Sequence, residues 1–454
     1  MLATDKVGSI VTADNRLCSP VTLQADSKGY HPSFYTLNRQ KTVAPFHSRE
    51  SRLKHLQLHG LEVPADQSSK QVIRQYLVGV FQCRTLFTYV SNDKTYWLAG
   101  YKLQTPERFT RLKAGQINRE ARRVERLSVR AVYALGWDYG VVRLGKALKG
   151  KVVVLDVIHN PKLSGYMIEA FKQAFEAYKK RLPVMVSDSA KLLLGTDPEF
   201  ILTDQNGALK YASDYFTRHG LVGCDAILQG NNRAHKPIVE IRPKAARSPR
   251  ELVLRLYRGM LMAAKKINDP NIRWLAGALP FPGFPIGGHI HFSGVPLSAQ
   301  FLRALDNYIV LPLVLVEDKR GIKRRPTYGF LGDFREQFHG GFEYRTPPSW
   351  LISPTLTKGI FSLARVVALH YPYFNEWPLT DLSLQKAYYD GDKEEIKRVV
   401  PTLWDELSRF PTYREEAVNL DNYYRMLMSG KTWDESEDIR VKWRIPPFHN
   451  KNKR

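Results

Sequence analysis

The sequence predicts an α+β protein: a mainly antiparallel sheet backed by helices in its second half, preceded by an N-terminal α/β domain. Three observations point there. Short β-branched and aromatic runs recur along the chain, each bounded by Gly, Pro, Asn or Asp. Between them lie longer stretches with apolar residues three and four apart, the spacing of one helix face. Finally, 43% apolar and 11% aromatic residues over 454 positions can fill more than one sizeable core, which excludes a globally disordered chain.

The first 65 residues are rich in Pro, Gly, Ser and His, with β-type runs at Val21–Leu23 and Phe34–Leu37. Lys70–Val80 reads as a helix. Val80–Val90 and Tyr96–Leu103 read as two strands joined through the turn-forming residues 91–94. The arginine-rich stretch Glu107–Leu135 reads as one long helix. Val141–Leu144 and Val152–Ile158 are apolar strands flanking a turn at 145–151, and Ser164–Arg181 has helical spacing. The texture changes around Pro183–Ala190, which places a domain boundary there.

From Leu192 the pattern is strand, turn at 204–207, strand, then a further strand at Ile238–Arg242. Ser248-Pro-Arg-Glu251 is a helix start, with Ser at the cap, Pro first in the helix and Glu three after the Ser. That helix should run to Ile267. A strand at His289–Phe292, a helix over Ser298–Val316, a strand at Phe342–Thr346 and a helix over Thr355–His370 follow. Leu382–Arg425 is mostly helical, and the tail after Ile445 is basic. The expected domains are therefore 1–185, 190–375, and a helical extension with a basic tail over 376–454.

The 68 Lys and Arg against 44 Asp and Glu leave a formal charge of +24, so polyanionic partners are expected. In the densest block, Glu107–Arg130, the arginines are interleaved with Glu107, Glu120 and Glu125. That is the texture of a solvated helix whose opposite charges pair one turn apart. Lys319, Arg320, Lys323, Arg324 and Arg325 have no interleaved acid and would suit a nucleotide as well as a nucleic acid. Three widely spaced cysteines without a CxxC pair support neither a disulfide scaffold nor a cysteine-rich zinc site. The longest strongly apolar run, Tyr308–Val316, contains a proline and falls short of the ~20 residues of a bilayer span. A cytoplasmic protein without a membrane segment is the expectation.

Two motif types are ruled out. Ser429-Gly-Lys-Thr432 mimics the end of a phosphate-binding loop, but Arg425 stands where that loop needs its first Gly. There is no GxGxxG and no GxSxG. What stands out instead is four polar constellations set inside apolar strands. Asp197 and Glu199 in Leu194-Gly-Thr-Asp-Pro-Glu-Phe200 are two apart, so they share a strand face. The same holds for Glu240 and Arg242 in Ile238-Val-Glu-Ile-Arg-Pro243, for His289 and His291 in Gly287-Gly-His-Ile-His-Phe-Ser-Gly294, and for Glu343 and Arg345 in Gly341-Phe-Glu-Tyr-Arg-Thr-Pro347. On a shared sheet these carboxylates would repel prohibitively unless they hold hard cations, and oxygens with an imidazole suit Mg²⁺ or Mn²⁺. The arginines would then present planar forks to phosphate oxygens. Divalent ions plus arginines on an open sheet are a design for phosphoryl transfer.

In this order the motifs resemble the glutamine synthetase and γ-glutamylcysteine synthetase superfamily. GTDPEF, VEIRP, GGHIHFSG, GDFR and FEYRTPPSWL resemble more closely its phage-type carboxylate-amine ligase branch, over about 190–375. The resemblance implies a glutamine synthetase-like catalytic domain in which ATP phosphorylates a carboxylate and an amine displaces phosphate to give an amide. Carried over, it makes Asp197, Glu199, Glu240, His289 and Glu343 metal ligands for Mg²⁺ or Mn²⁺. It sets Arg345 on the transferring phosphoryl group and Arg335 on ATP phosphates, with Arg242 and His291 as further nucleotide-side residues and Arg345, Glu343 and Glu240 as the catalytic set. Ser349 and Trp350 lie in the motifs without an assigned role. Asp197 stands where glutamine synthetases carry Glu, one methylene longer.

Residues 134–145 and 152–161 resemble the C-terminal end of an ATP-grasp domain, with Asp156 and Asn160 as candidate metal residues. The N-terminal domain is accordingly either a degenerate ATP-grasp relative or a module presenting substrate. The expected partners are ATP and a small-molecule or peptide carboxylate and amine. Two alternatives stay open: a basic nucleic-acid-binding protein without catalysis, and a metal-dependent phospho- or nucleotidyltransferase. The acid, the amine and the oligomeric state are not legible in the sequence.

Overall fold

In the computed structural model, which describes residues 9–24, 34–64, 72–91, 109–147, 150–181, 190–225 and 235–448, the chain divides into two units, Met1–Met185 and Val186–Arg454. In the first, β1 (Val21–Gln24) and β2 (Phe34–Leu37) form an antiparallel ribbon. The short helix α1 (Gln40–Val43) and α2 (Arg49–Leu58) follow, the latter capped by Ser48, whose Oγ accepts from Ser51 N at 3.0 Å. Then come β3 (Val72–Phe81), β4 (Arg84–Ser91), β5 (Phe109–Arg111), α3 (Arg119–Ala134), β6 (Tyr139–Ala147), β7 (Val152–Ile158) and α4 (Tyr166–Arg181). The five strands make an antiparallel sheet in the order β5-β4-β3-β6-β7. Phe171, Phe175 and Tyr178 of α4 join one core with Phe81, Phe87, Tyr139 and Val141.

Three sequence expectations change here. Lys70–Val80 is not a helix: Val72–Phe81 is a central strand between β4 and β6. Val72, Ile73, Val78 and Val80 favour the pleat, and Gly79 faces Phe87 so closely that a Cβ would sit 2.4 Å from its ring. A hairpin turn between β3 and β4 falls at Gln82–Cys83, with Gln82 at φ 53°, inside the expected strand Val80–Val90, while residues 92–94 of the expected turn lie outside the described residues. The proposed strand Tyr96–Leu103 lies outside the described residues. The long helix begins only at Arg119, where Asn118 Oδ1 accepts from Ala121 N at 2.9 Å, because Phe109–Arg111 pairs with β4 instead. On that helix the acids do not pair with arginines one turn away. Glu120 joins Arg74 at 3.3 Å and also Lys146 and Tyr76, and Glu125 accepts from Thr88 Oγ1 at 2.8 Å. Arg119, Arg122, Arg123 and Arg126 are left exposed.

The second unit contains β8 (Leu193–Thr196), β9 (Glu199–Thr203), β10 (Leu209–Lys210), β11 (Val222–Asp225), β12 (Ile238–Ile241), α5 (Pro249–Ile267), β13 (Arg273–Leu275) and β14 (Ile290–Ser293). After these come α6 (Ala299–Leu305), α7 (Leu311–Leu313), α8 (Gly321–Arg324), β15 (Phe334–Glu336), β16 (Phe342–Tyr344), α9 (Pro354–His370), α10 (Leu382–Asp390), α11 (Lys393–Ser408), α12 (Pro411–Met428) and α13 (Ile439–Trp443). Ser248 and Ser353 cap α5 and α9, each followed by Pro at the first helical position, as the Ser-Pro pairs require. The stretch Ala299–Val316 is apolar and long enough to span a bilayer by composition, but 89% of it is buried, so it is a core helix of this unit.

The strands bearing the polar motifs do not share one sheet. β10-β9-β12-β11, with β13 also on β9, form one antiparallel sheet, and β15-β16-β14-β8 form another. The chain passes from the second to the first through Asp197-Pro198, between β8 and β9. Pro198 has no N–H to give to a ladder, which suits the crossing. The site gathers at this junction.

Candidate active site

Register places the functional side chains before any of them touch. In the four-stranded sheet, His291 is opposite Gly195 on one side and Glu343 on the other, and Glu343 is opposite Arg335. One row across the sheet thus reads Arg335, Glu343, His291, Gly195. In the neighbouring sheet Glu199 is opposite Glu240, which is opposite Gly223. Each row ends on a glycine where a side chain needs room. A Cβ at Gly195 would stand 3.2 Å from His291 Cβ, and one at Gly223 would run into the Arg242 guanidinium.

Asp197, at the crossing, is the hub. His289 Nδ1 and His291 Nε2 each lie 3.0 Å from its Oδ1. His289 Nδ1 is also 3.2 Å from Glu343 Oε1, and Arg345 Nε is 3.1 Å from that same oxygen. The other oxygen of Glu343 accepts from Arg335 Nε at 2.7 Å and Gln337 Nε2 at 3.0 Å. Glu343 is fully buried. Yet Glu343 Oε1 and His291 Nε2 are buried without an aligned hydrogen bond, near neighbours that miss the required angle. One ligand atom each from Asp197, His291 and Glu343 lies within 4.8 Å of the other two. Glu240 is bound by Arg242 Nη2 and stands against Asp197, while Glu199 Oε2 accepts from Gly287 N at 2.7 Å. Beside this cluster opens a cleft of about 220 Å³, lined by Gly195, Asp197, Arg242, His291, Ser293 and His339 among others.

The electrostatics follow from burial. Burial alone would raise the Asp197 carboxyl, but the two histidines, His289 foremost, hold it well below the carboxylate range. Burial would lower His289, and the neighbouring carboxylates, Asp197 first, overcome this and raise it to about 9. Glu240 is pushed up to about 8 by burial and then by the charge on Asp197, and Glu199 is raised by burial. These are carboxylates crowded past what their own cations neutralise.

The nucleotide- and metal-side residues expected in the second unit are brought here: Asp197, Glu199, Glu240, Arg242, His289, His291, Arg335, Glu343 and Arg345. The three-residue cluster contains His291, in register with Glu343, and His289 adjoins it at 3.0 Å from Asp197 and 3.2 Å from Glu343. Ser349 and Trp350 turn out to be scaffold: Ser349 Oγ donates to the Glu199 carbonyl, and Trp350 Nε1 donates to Gly288 O at 2.7 Å. Gln337 and His339 were missed, although Arg335-x-Gln337 repeats the two-residue alternation of the other motifs. Arg324, within the basic run 319–325, is buried at 5% exposure. It donates to Thr346 O at 2.8 Å and Pro347 O at 3.1 Å, holding the end of β16. In the first unit, Asp156 accepts from Arg52 Nε at 2.9 Å and Nη2 at 2.8 Å and from Val157 N at 2.8 Å, so its carboxylate is committed to an ion pair.

Glu435, in the C-terminal segment, braces the Ala278–Leu279 backbone. It is fully buried, and its carboxylate accepts from Ala278 N and, at 2.8 Å, from Leu279 N. Burial pushes its carboxyl up to about 7 despite those two donors. An acid raised on folding contributes stability fully present below its ordinary range and lost as pH rises through the raised value. Melting temperature is therefore expected to fall from pH 5 to pH 7.5, and Glu435→Gln to flatten that fall by up to about 1.4 kcal/mol per pH unit. Parallel curves for the two proteins would refute the assignment.

A family model described as "Phage phiEco32-like COOH.NH2 ligase-type 2" matches residues 194–445. No curated protein matches the chain. Solved structures with partial likeness include a bifunctional glutathione synthetase from Pasteurella multocida, at 11% identity and TM-score 0.35, covering 56% of this chain and 50% of that one. The ATP-grasp ligase PsnB complexed with minimal precursor matches at 13% identity and TM-score 0.23, covering 31% of this chain and 62% of that one. N5-carboxyaminoimidazole ribonucleotide synthetase from Thermotoga maritima matches at 12% identity and TM-score 0.23, with coverages of 53% and 75%. The chain spans half the length of the glutathione synthetase it matches.

Proposed function

Because the chain belongs to the phage phiEco32-like COOH.NH2 ligase-type 2 family, we propose that its second unit joins a carboxylate to an amine at the cost of ATP, through an acyl phosphate, with Mg²⁺ or Mn²⁺ held at the sheet junction. The observation that carries this is the buried cluster of Asp197, His291 and Glu343, in which Glu343 Oε1 and His291 Nε2 have no aligned partner. Two carboxylate oxygens and an imidazole nitrogen fit such an ion, with Glu199, Glu240 and His289 as the further ligands the motif order suggests. Bound there, the ion supplies charge neutralisation for phosphate oxygens.

The chain's own residues do the rest. Arg335 and Arg345 converge on Glu343 from two sides, and each keeps guanidinium donors beyond that contact. Side-chain exposures of 55% and 34% leave them open to a ligand. They bind the γ-phosphoryl oxygens of ATP and steady the charge that spreads over them during transfer. A carboxylate oxygen attacks the γ-phosphorus and ADP leaves. The amine nitrogen then attacks the acyl carbon and loses a proton, and inorganic phosphate departs carrying one oxygen of the original carboxylate. The anionic acid and its poor oxide leaving group are both removed as obstacles by the first step. In Glu199→Gln the side-chain oxygen can still accept from Gly287 N and the burial penalty is gone, so the melting temperature should hold or rise while nucleotide turnover is lost.

The test is to screen acid and amine pairs for ADP release, then repeat with an ¹⁸O-labelled carboxylate. Label in the released phosphate supports the acyl phosphate. AMP and pyrophosphate as products, or phosphate without label, would reject it in favour of nucleotidyl transfer or simple hydrolysis.

A further inference from the structure

A larger cavity, of about 540 Å³, opens elsewhere on the second unit, between Val314–Arg325, Gly391–Lys393 and Thr432–Asp434, and none of its wall residues belongs to the cluster just described. That volume is within the range of small-ligand sites. Four cations line it, Lys319, Arg320, Arg325 and Lys393, against three acids, Glu317, Asp318 and Asp434. The acids are all committed. Glu317 Oε2 is 2.7 Å from Arg325 Nη1, with both side chains 4% exposed. Arg320 Nη2 is 3.3 Å from Asp318 and 2.9 Å from Asp434. Asp318 Oδ2 also accepts from Glu435 N at 3.2 Å, and Asp434 Oδ1 from Ser436 N at 2.8 Å. A cation entering this cavity finds no free carboxylate.

The cations have capacity to spare. Lys319 is exposed and has no side-chain partner among the described residues. The half-buried Lys393 ammonium donates to the Glu317 carbonyl and keeps two further N–H groups. Burial lowers its pKa, and the like charge of Arg325 lowers it further against the pull of Glu317. Arg325 Nε is buried with no hydrogen-bond partner. Positive charge gathered in a partly desolvated wall is stabilised by an anion, and phosphate or carboxylate oxygens match these donors.

We propose that this cavity is a second ligand site, taking a small multivalent anion that bears phosphate or carboxylate groups, with Lys319, Arg320 and Lys393 as its donors. The assignment goes beyond the ligase reading and does not depend on it.

Calorimetric titration of the full chain with inorganic pyrophosphate, and separately with citrate, in EDTA and at constant ionic strength, tests it. Wild type is expected to bind one equivalent saturably. The tighter of the two anions tells whether phosphate or carboxylate is preferred. Lys319→Ala/Lys393→Met should weaken binding by about tenfold or more, the loss of charge-assisted hydrogen bonds. Glu343→Gln should leave it unchanged. If the double variant does not fold, Lys319→Ala alone, at an exposed position, still has to weaken binding. No saturable binding of either anion, equal affinity in the lysine variants, or loss of binding in Glu343→Gln would each overturn the site.

Discussion

Glu343→Gln is expected to reduce Mg²⁺-dependent nucleotide turnover by about a thousandfold or more, the scale seen when a preorganised charged group is removed from a closed site. The reason lies in how many groups Glu343 organises. Its side chain is fully buried, and its two oxygens face His289, Arg345, Arg335 and Gln337 at 2.5 to 3.2 Å. The amide keeps the shape and loses the charge. Three cationic or potentially cationic neighbours then lose their shared counter-charge, and the metal-type cluster loses one of its two carboxylates. The measurement is ADP release with saturating Mg·ATP, alongside circular dichroism and a melt to show that the fold persists. Turnover within tenfold of wild type in a folded protein would dismiss Glu343 from the machinery.

The second large effect is on stability. Gly288→Ala should cost about 3 kcal/mol or more and lower the melting temperature by roughly 10 °C. A Cβ there would stand 2.4 Å from Trp350 Nε1 and 2.6 Å from the Pro348 carbonyl oxygen. The Trp350 indole cannot retreat without giving up its bond to Gly288 O, and the carbonyl is backbone. Gly115→Ala is the control: a Cβ at that position meets nothing within 4 Å, and its stability should change by less than about 1 kcal/mol. Equal melting temperatures for the two variants would mean that the close packing around Gly288 is not rigid. Beside it, a Cβ at Gly287 would fall 2.4 Å from His289 Nε2, so the paired glycines of the Gly-Gly-His motif serve different neighbours.

Much of the second unit could be read from local chemistry. Ser248-Pro-Arg-Glu251 is a helix start wherever it lies, because Ser Oγ finds the N–H three residues on. The acid-x-acid, His-x-His and Glu-x-Arg pairs could be placed on strand faces because a strand repeats every two residues. Where the same reasoning failed, a distant partner had decided. Val72–Phe81 has helix-compatible spacing, yet it becomes a strand because β4 and β6 pair with it on both sides. Phe109–Arg111 leaves the arginine-rich helix for the same reason, taken up by β4. Glu120 and Glu125 looked like partners for arginines one turn away, but the sheet beneath offers Arg74, Lys146 and Thr88.

The inventory of the site is legible in the chain: acids, imidazoles and arginines in alternation on short apolar strands, with glycines among them. Local rules suffice for that, since alternation and capping depend only on neighbours a few residues away. Their arrangement comes from long-range pairing. The strand order β15-β16-β14-β8 is not the order of the chain, so nothing local could announce that Glu343 would stand in register between His291 and Arg335. Nor could it announce that Asp197 would sit at a crossing between two sheets, or that Arg324 would face inward to hold Thr346 and Pro347 while Lys319 faces a cavity. Register and burial are set by pairing across long sequence separations, and the proximities and pKa shifts of this site are properties of that pairing.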